Sequence, residues 1–97
     1  MNLTFIKDVT KNGQDGATYL CKFYNKEDVV LSISRTASSK LGYDLDRDSA
    51  EDIIKRIDIL LDKQMRVFRD VETLKSIDIM SSQIVLTTNS TRQTIYI

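Results

Sequence analysis

Hydrophobic and polar positions alternate with period two over the first third of the chain. Leu3, Phe5 and Val9 fall on one face across Lys7, and Tyr19, Cys21 and Phe23 alternate with Leu20, Lys22 and Tyr24. Val29, Leu31 and Ile33 form the next alternating set. That period is the signature of strands with one buried face. Between the first two runs, Lys11-Asn12-Gly13-Gln14-Asp15-Gly16 contains Asn-Gly and Asp-Gly, which are strong hairpin signals. Asn25-Lys26-Glu27-Asp28 supplies the second turn. The prediction is a three-stranded meander over residues ~2–35.

Residues 36–48 carry no period and read as a polar connection, with Leu41, Tyr43 and Leu45 pinning it to the core. A heptad pattern then begins. Ala50, Ile53, Ile57, Leu60, Gln64, Val67, Val71 and Leu74 fill successive a and d positions, all apolar except Gln64. Ile54, Leu61 and Phe68 widen the stripe to the face of a packing helix. Asp48 or Ser49 can cap its first N–H groups, and Glu51 and Asp52 suit the positive end of its dipole. Glu51–Lys55, Asp62–Arg66 and Arg66–Asp70 are spaced as i,i+4 ion pairs. Uninterrupted from Ser49 to Lys75, the helix would have about 27 residues and be roughly 40 Å long. A domain of this size is roughly 33 Å across. Such a helix must either break near Arg69-Asp70 or pack its far end on another chain. Gln64, Val67, Phe68, Val71 and Leu74 are therefore the candidate protein interface.

Strand character returns at Ile77-Asp78-Ile79-Met80. Gln83–Thr88 and Thr91–Ile97, joined at Asn89-Ser90, read as a hairpin rich in β-branched residues. The expected fold is one α+β domain over residues 1–97. An antiparallel sheet, made of the N-terminal meander and the C-terminal hairpin, carries one long amphipathic helix on one face.

Charge narrows the function. The chain of 97 residues has 14 basic and 14 acidic side chains, balanced in each half. A nucleic-acid binder usually carries a basic excess to displace counterions. Two hydroxyl-rich basic segments keep that alternative open. They are Ser32–Lys40, with Arg35 and Lys40, and Thr87–Arg92, with Arg92. If the two lay together they could hold an anion or a nucleic acid, with Tyr24 or Tyr43 for stacking. Ordinary loop chemistry, hydroxyls bonding their own backbone, is the competing explanation.

Catalytic chemistry is sparse. There is no histidine, and the glycines fit no phosphate loop. Asp44-Leu45-Asp46-Arg47-Asp48 spaces three carboxylates like the start of a calcium loop. Ser49 stands where that loop needs glycine and Lys55 where it needs a bidentate glutamate. A lead-in that complements the helix dipole explains the run better. The single cysteine, Cys21, reads as a buried small hydrophobe.

No cofactor or metal is expected, and no signal peptide or membrane span is apparent, so a cytoplasmic location is the default. The expectation is a non-catalytic protein-binding module, a small regulator or stoichiometric inhibitor, dimeric through its long helix. In general composition the chain resembles small proteins of bacterial phages and mobile elements, which often act by binding host machinery.

Overall fold

The computed structural model describes residues 3–13, 16–23, 28–64 and 74–97. In chain order the elements are β1 (Leu3–Gly13), β2 (Gly16–Phe23), β3 (Asp28–Ser34), α1 (Arg35–Leu41), α2 (Ala50–Gln64), β4 (Leu74–Ile79), β5 (Gln83–Thr88) and β6 (Arg92–Tyr96). The fold is mixed α+β. Its six strands form one sheet in the order β1-β2-β3-β4-β5-β6.

The meander forms as its alternation predicts, with β1–β2 and β2–β3 antiparallel. The sheet as a whole departs from the antiparallel expectation. β3 and β4 run parallel, with Val30 opposite Ser76 and Ile33 opposite Ile79. The Ile77–Ile79 run thus belongs to a full strand, β4, that joins two antiparallel halves. Parallel neighbours cannot be linked by a tight turn, so the chain must cross a face between them. The described part of that crossover holds two helices joined by a loop over residues 42–49.

One sheet face is apolar across its four central strands. Ala17, Tyr19 and Cys21 of β2 face Ile33, Leu31 and Val29 of β3. Leu31 and Ile33 stand beside Ile77 and Ile79, which lie opposite Leu86 and Ile84. All are buried, and Ile53, Ile54, Ile57 and Leu61 of α2 belong to the same cluster. Each such side chain contributes roughly 1.5–3 kcal/mol by leaving water. Phe5 and Tyr19 meet edge to face, with ring centroids 6.2 Å apart. Asp58 of α2 accepts a hydrogen bond from the Leu3 N–H at 3.2 Å, tying the helix to β1.

Two expectations need correction. Residues 35–41 form a helix where a polar connection was expected. The Ser34 hydroxyl caps it by accepting from the Ala37 N–H at 3.1 Å. Gly42, at φ 79°, ends it in the left-handed conformation that glycine adopts freely. Ala37 and Leu41 are its only apolar side chains, too few to announce a period.

The long helix is also shorter than the heptads suggest. α2 has 15 residues, about 22 Å, against a longest dimension of 33 Å. Leu74 and Lys75 belong to β4, so the helix does not continue to Lys75. Ser49 is its cap, accepting from the Asp52 N–H at 3.2 Å, and Asp52 pairs with Arg56 at 3.3 Å. Arg66, Arg69 and Asp70, together with Gln14, Asp15 and the turn residues 25–27, lie outside the described residues.

Gly16 closes the first hairpin opposite Gly13 and packs against β3 opposite Ser34. Its φ is 130°. A Cβ there would overlap the Ile33 carbonyl oxygen and come within 2.9 Å of the Ser34 Cα. Both colliding groups are backbone in a central strand and cannot swing away. Gly16→Ala should therefore lower stability by about 2 kcal/mol or more. Urea unfolding should show the midpoint falling at constant slope.

Candidate functional site on the open sheet face

The sheet face opposite the core cluster is rich in hydroxyls, with Leu20, Val30, Val85 and Tyr96 set among its Ser and Thr side chains. Strand register places Thr10, Thr18, Ser32, Asp78, Val85 and Thr94 in one row across all six strands. The alternation that sends Ile77 and Ile79 inward sends Asp78 outward. The same rule exposes Ser32 between Leu31 and Ile33, and Thr18 between Ala17 and Tyr19. Thr18 and Ser32 join their hydroxyls at 3.3 Å.

The rims of Thr10, Thr18, Ser32, Ser34, Asp78 and Met80 bound a concavity of about 340 Å³. Asp78 is half-buried there, and its carboxylate has no hydrogen-bond or ion-pair partner among the described residues. A hydroxyl row with one uncommitted carboxylate offers acceptors to a guanidinium, an ammonium or backbone N–H groups. Sequence alternation marks Asp78 as an outward strand residue. Its neighbours Thr18, Ser32 and Val85 come from three other strands, so only the register reveals the row.

The other candidate residues scatter. Arg35 pairs with Asp46 through two contacts, at 3.2 and 3.4 Å. Lys40 donates to the Ser81 carbonyl at 2.7 Å. Arg92 is exposed and level with Val30, three strands from β3. From strand spacing and rise it stands roughly 20 Å from Arg35. The two hydroxyl-rich loops therefore do not converge. Thr88 also binds its own turn, accepting from the Thr91 N–H at 3.0 Å and sharing a 2.7 Å hydroxyl contact with Thr91. Tyr43 lies under Arg56, 5.9 Å from guanidinium to ring centre, and Tyr24 lies outside the described residues.

Of the candidate protein interface, Leu74 is buried in β4, only 5% exposed. It meets the heptad spacing and the strand pattern alike, and the sheet claims it. Val67 and Phe68, with Val71, lie outside the described residues, as does the side chain of Gln64.

The acidic run closes a loop. Asp44 Oδ1 accepts from the N–H groups of Asp46 and Arg47 at 2.9 and 3.1 Å. Asp48 accepts from the Asp44 N–H at 2.9 Å and lies 3.7 Å from Arg56. Leu45 is buried between them. Its carboxylates thus brace the approach to α2.

Among the described residues no helix is long and apolar enough to cross a membrane. Comparison with family models, with curated proteins and with solved structures finds no match. The class of the protein is therefore defined by its own geometry: a mixed α+β domain with one face of its sheet in the core and the other open and hydroxyl-rich.

Cys21 is fully buried, and burial pushes its thiol from 9.0 up to about 12. Burial likewise raises Tyr19 and Tyr43. An acid whose folded pKa is raised keeps its proton in the native state after the unfolded chain has lost it. Stability is then unaffected below pH 9 and falls as pH rises from 9 towards 12. Cys21→Ala should flatten part of that alkaline loss in pH-dependent thermal melts. At neutral pH the wild-type thiol should react with a disulfide reagent only at the rate of opening.

Proposed function

We propose that this chain is a non-catalytic protein-binding module, a small regulator or stoichiometric inhibitor. It presents the open face of its sheet to a partner protein. The observation that carries this reading is Asp78, a half-buried carboxylate without a partner among the described residues, at the centre of a hydroxyl-rich row. A cation delivered by a partner would give this carboxylate a charged hydrogen-bond donor. Hydrogen bonds to charged groups contribute roughly 1.5–3 kcal/mol each.

The size of the face sets the kind of complex. Six strands by about five residues span roughly 29 × 17 Å, near 500 Å². A standard interface covers about 800 Å² per side. The partner must reach past the face onto an edge or loop, or the complex is transient. Its contacting surface should be basic, with Arg or Lys at its centre.

The alternative, nucleic-acid or anion binding through Arg35, Lys40 and Arg92, has less geometric support. Two of those cations are engaged within the fold, and the third lies at the far end of the sheet. A high ratio of 260 to 280 nm absorbance in purified protein would favour it, since the chain has no Trp and four Tyr.

The test is quantitative capture from lysate with wild type, Asp78→Asn, Asp78→Lys and, as a control on α2, Asp62→Lys. The protein that wild type enriches should fall about tenfold with Asp78→Lys, partly with Asp78→Asn, and hold with Asp62→Lys. Equal enrichment by all four would remove the open face as the site.

A further inference from the structure

The two edges of the sheet are not alike. β1 is interrupted by register shifts at Phe5/Lys7, Asp8/Thr10 and Thr10/Gly13, and it carries Lys7 and Asp8. Bulges and charges are how edge strands avoid pairing with other chains. β6 has no such bulge. It pairs with β5 in unbroken register from Arg92–Thr87 to Tyr96–Gln83. Arg92 is the only charged side chain in it.

Which backbone groups of β6 face away from β5 follows from two contacts. The Ile97 N–H donates to the Ser82 carbonyl at 3.1 Å, and the Thr91 carbonyl accepts from the Thr88 N–H at 2.9 Å. Residues 91, 93, 95 and 97 thus turn their backbone groups towards β5. By the alternation of an antiparallel ladder, Arg92, Thr94 and Tyr96 turn theirs outward.

We propose that β6 pairs antiparallel with β6 of a second copy of this chain, about a two-fold axis at Thr94. This inference goes beyond the binding of a partner at the open face and does not depend on it. In that register Thr94 meets Thr94, and Arg92 meets Tyr96 in both directions. All three are positions with outward N–H and C=O, so every outward group from 92 to 96 finds a partner. A register shifted by one residue would place outward groups opposite inward ones and form none of these bonds.

The side chains agree with the same axis. Arg92, Thr94 and Tyr96 are exposed on the open face, Tyr96 by 77%. Across the axis each guanidinium stacks on a tyrosine ring instead of facing its own kind. On the other face Gln93 meets Ile95. Ile95 and Ile97 already pack against the core cluster, so the second copy would extend the apolar layer from one subunit to the next. The product is one continuous twelve-stranded sheet with two open-face concavities.

The test is analytical ultracentrifugation of the 97-residue protein across ~5–500 μM. The expected result is reversible association from 11.1 kDa to twice that mass. Thr94→Pro removes an outward N–H and leaves the bonds to β5 intact, so it should weaken association at least about tenfold. Tyr96→Arg sets two guanidinium groups face to face and should weaken it about tenfold. Adding Arg92→Glu to Tyr96→Arg should restore association to within about threefold of wild type, which only the Thr94-centred register predicts. If Thr94→Pro fails to fold, the charge exchange decides. A monomer throughout the range, or a dimer that none of these variants changes, would overturn the proposal. Neither result bears on Asp78, whose variants leave β6 untouched.

Discussion

The parallel pairing of β3 with β4 is the constraint on which the rest of the structure hangs. It places Leu31 beside Ile77 and Ile33 beside Ile79, all fully or nearly fully buried, and makes one sheet of two halves. A parallel neighbour obliges the chain to return to the end where it started, which takes it across a sheet face. α1 and α2 lie on that return. Ile53, Ile54, Ile57 and Leu61 of α2 share one buried cluster with the strand residues of the inner face, and the opposite face is rich in hydroxyls. The position of Asp78, at the middle of the open row, is a consequence of the same pairing.

The parts of the fold that depend on near neighbours were legible in the chain. Cys21-Lys22-Phe23 and Leu31-Ser32-Ile33 announce their strands by alternation, and Ser49-Ala50-Glu51-Asp52 announces the start of α2. The join between the halves was not. Ile77-Asp78-Ile79 alternates equally well for a parallel or an antiparallel neighbour, and nothing local distinguishes them. The heptads failed at their far end for a related reason. Leu74 satisfies both periods, and burial against the sheet decides between them. α1 leaves little trace in the chain because a short helix with two side chains against the core needs only its caps, Ser34 and Gly42. Those caps were visible, but a hydroxyl before a polar run is a common sight.

The candidate site shows the same division. Arg35, Lys40 and Arg92 were selected for chemistry that suits phosphate. The fold commits Arg35 to Asp46 and Lys40 to a turn carbonyl, and leaves Arg92 far away. Asp78 drew no attention in the chain because a charge between two isoleucines is ordinary for an exposed strand position. Its interest lies in what surrounds it, and those neighbours are far off in sequence.

The most direct measurement is solution NMR of the backbone in β3 and β4. Interstrand proton contacts should advance together along both strands, from Val30 near Ser76 to Ile33 near Ile79. The amides between these strands should rank among the most protected in the molecule. Contacts that advance along one strand while retreating along the other, or a β3 with freely exchanging outer amides, would contradict the seam and with it the open row built across it.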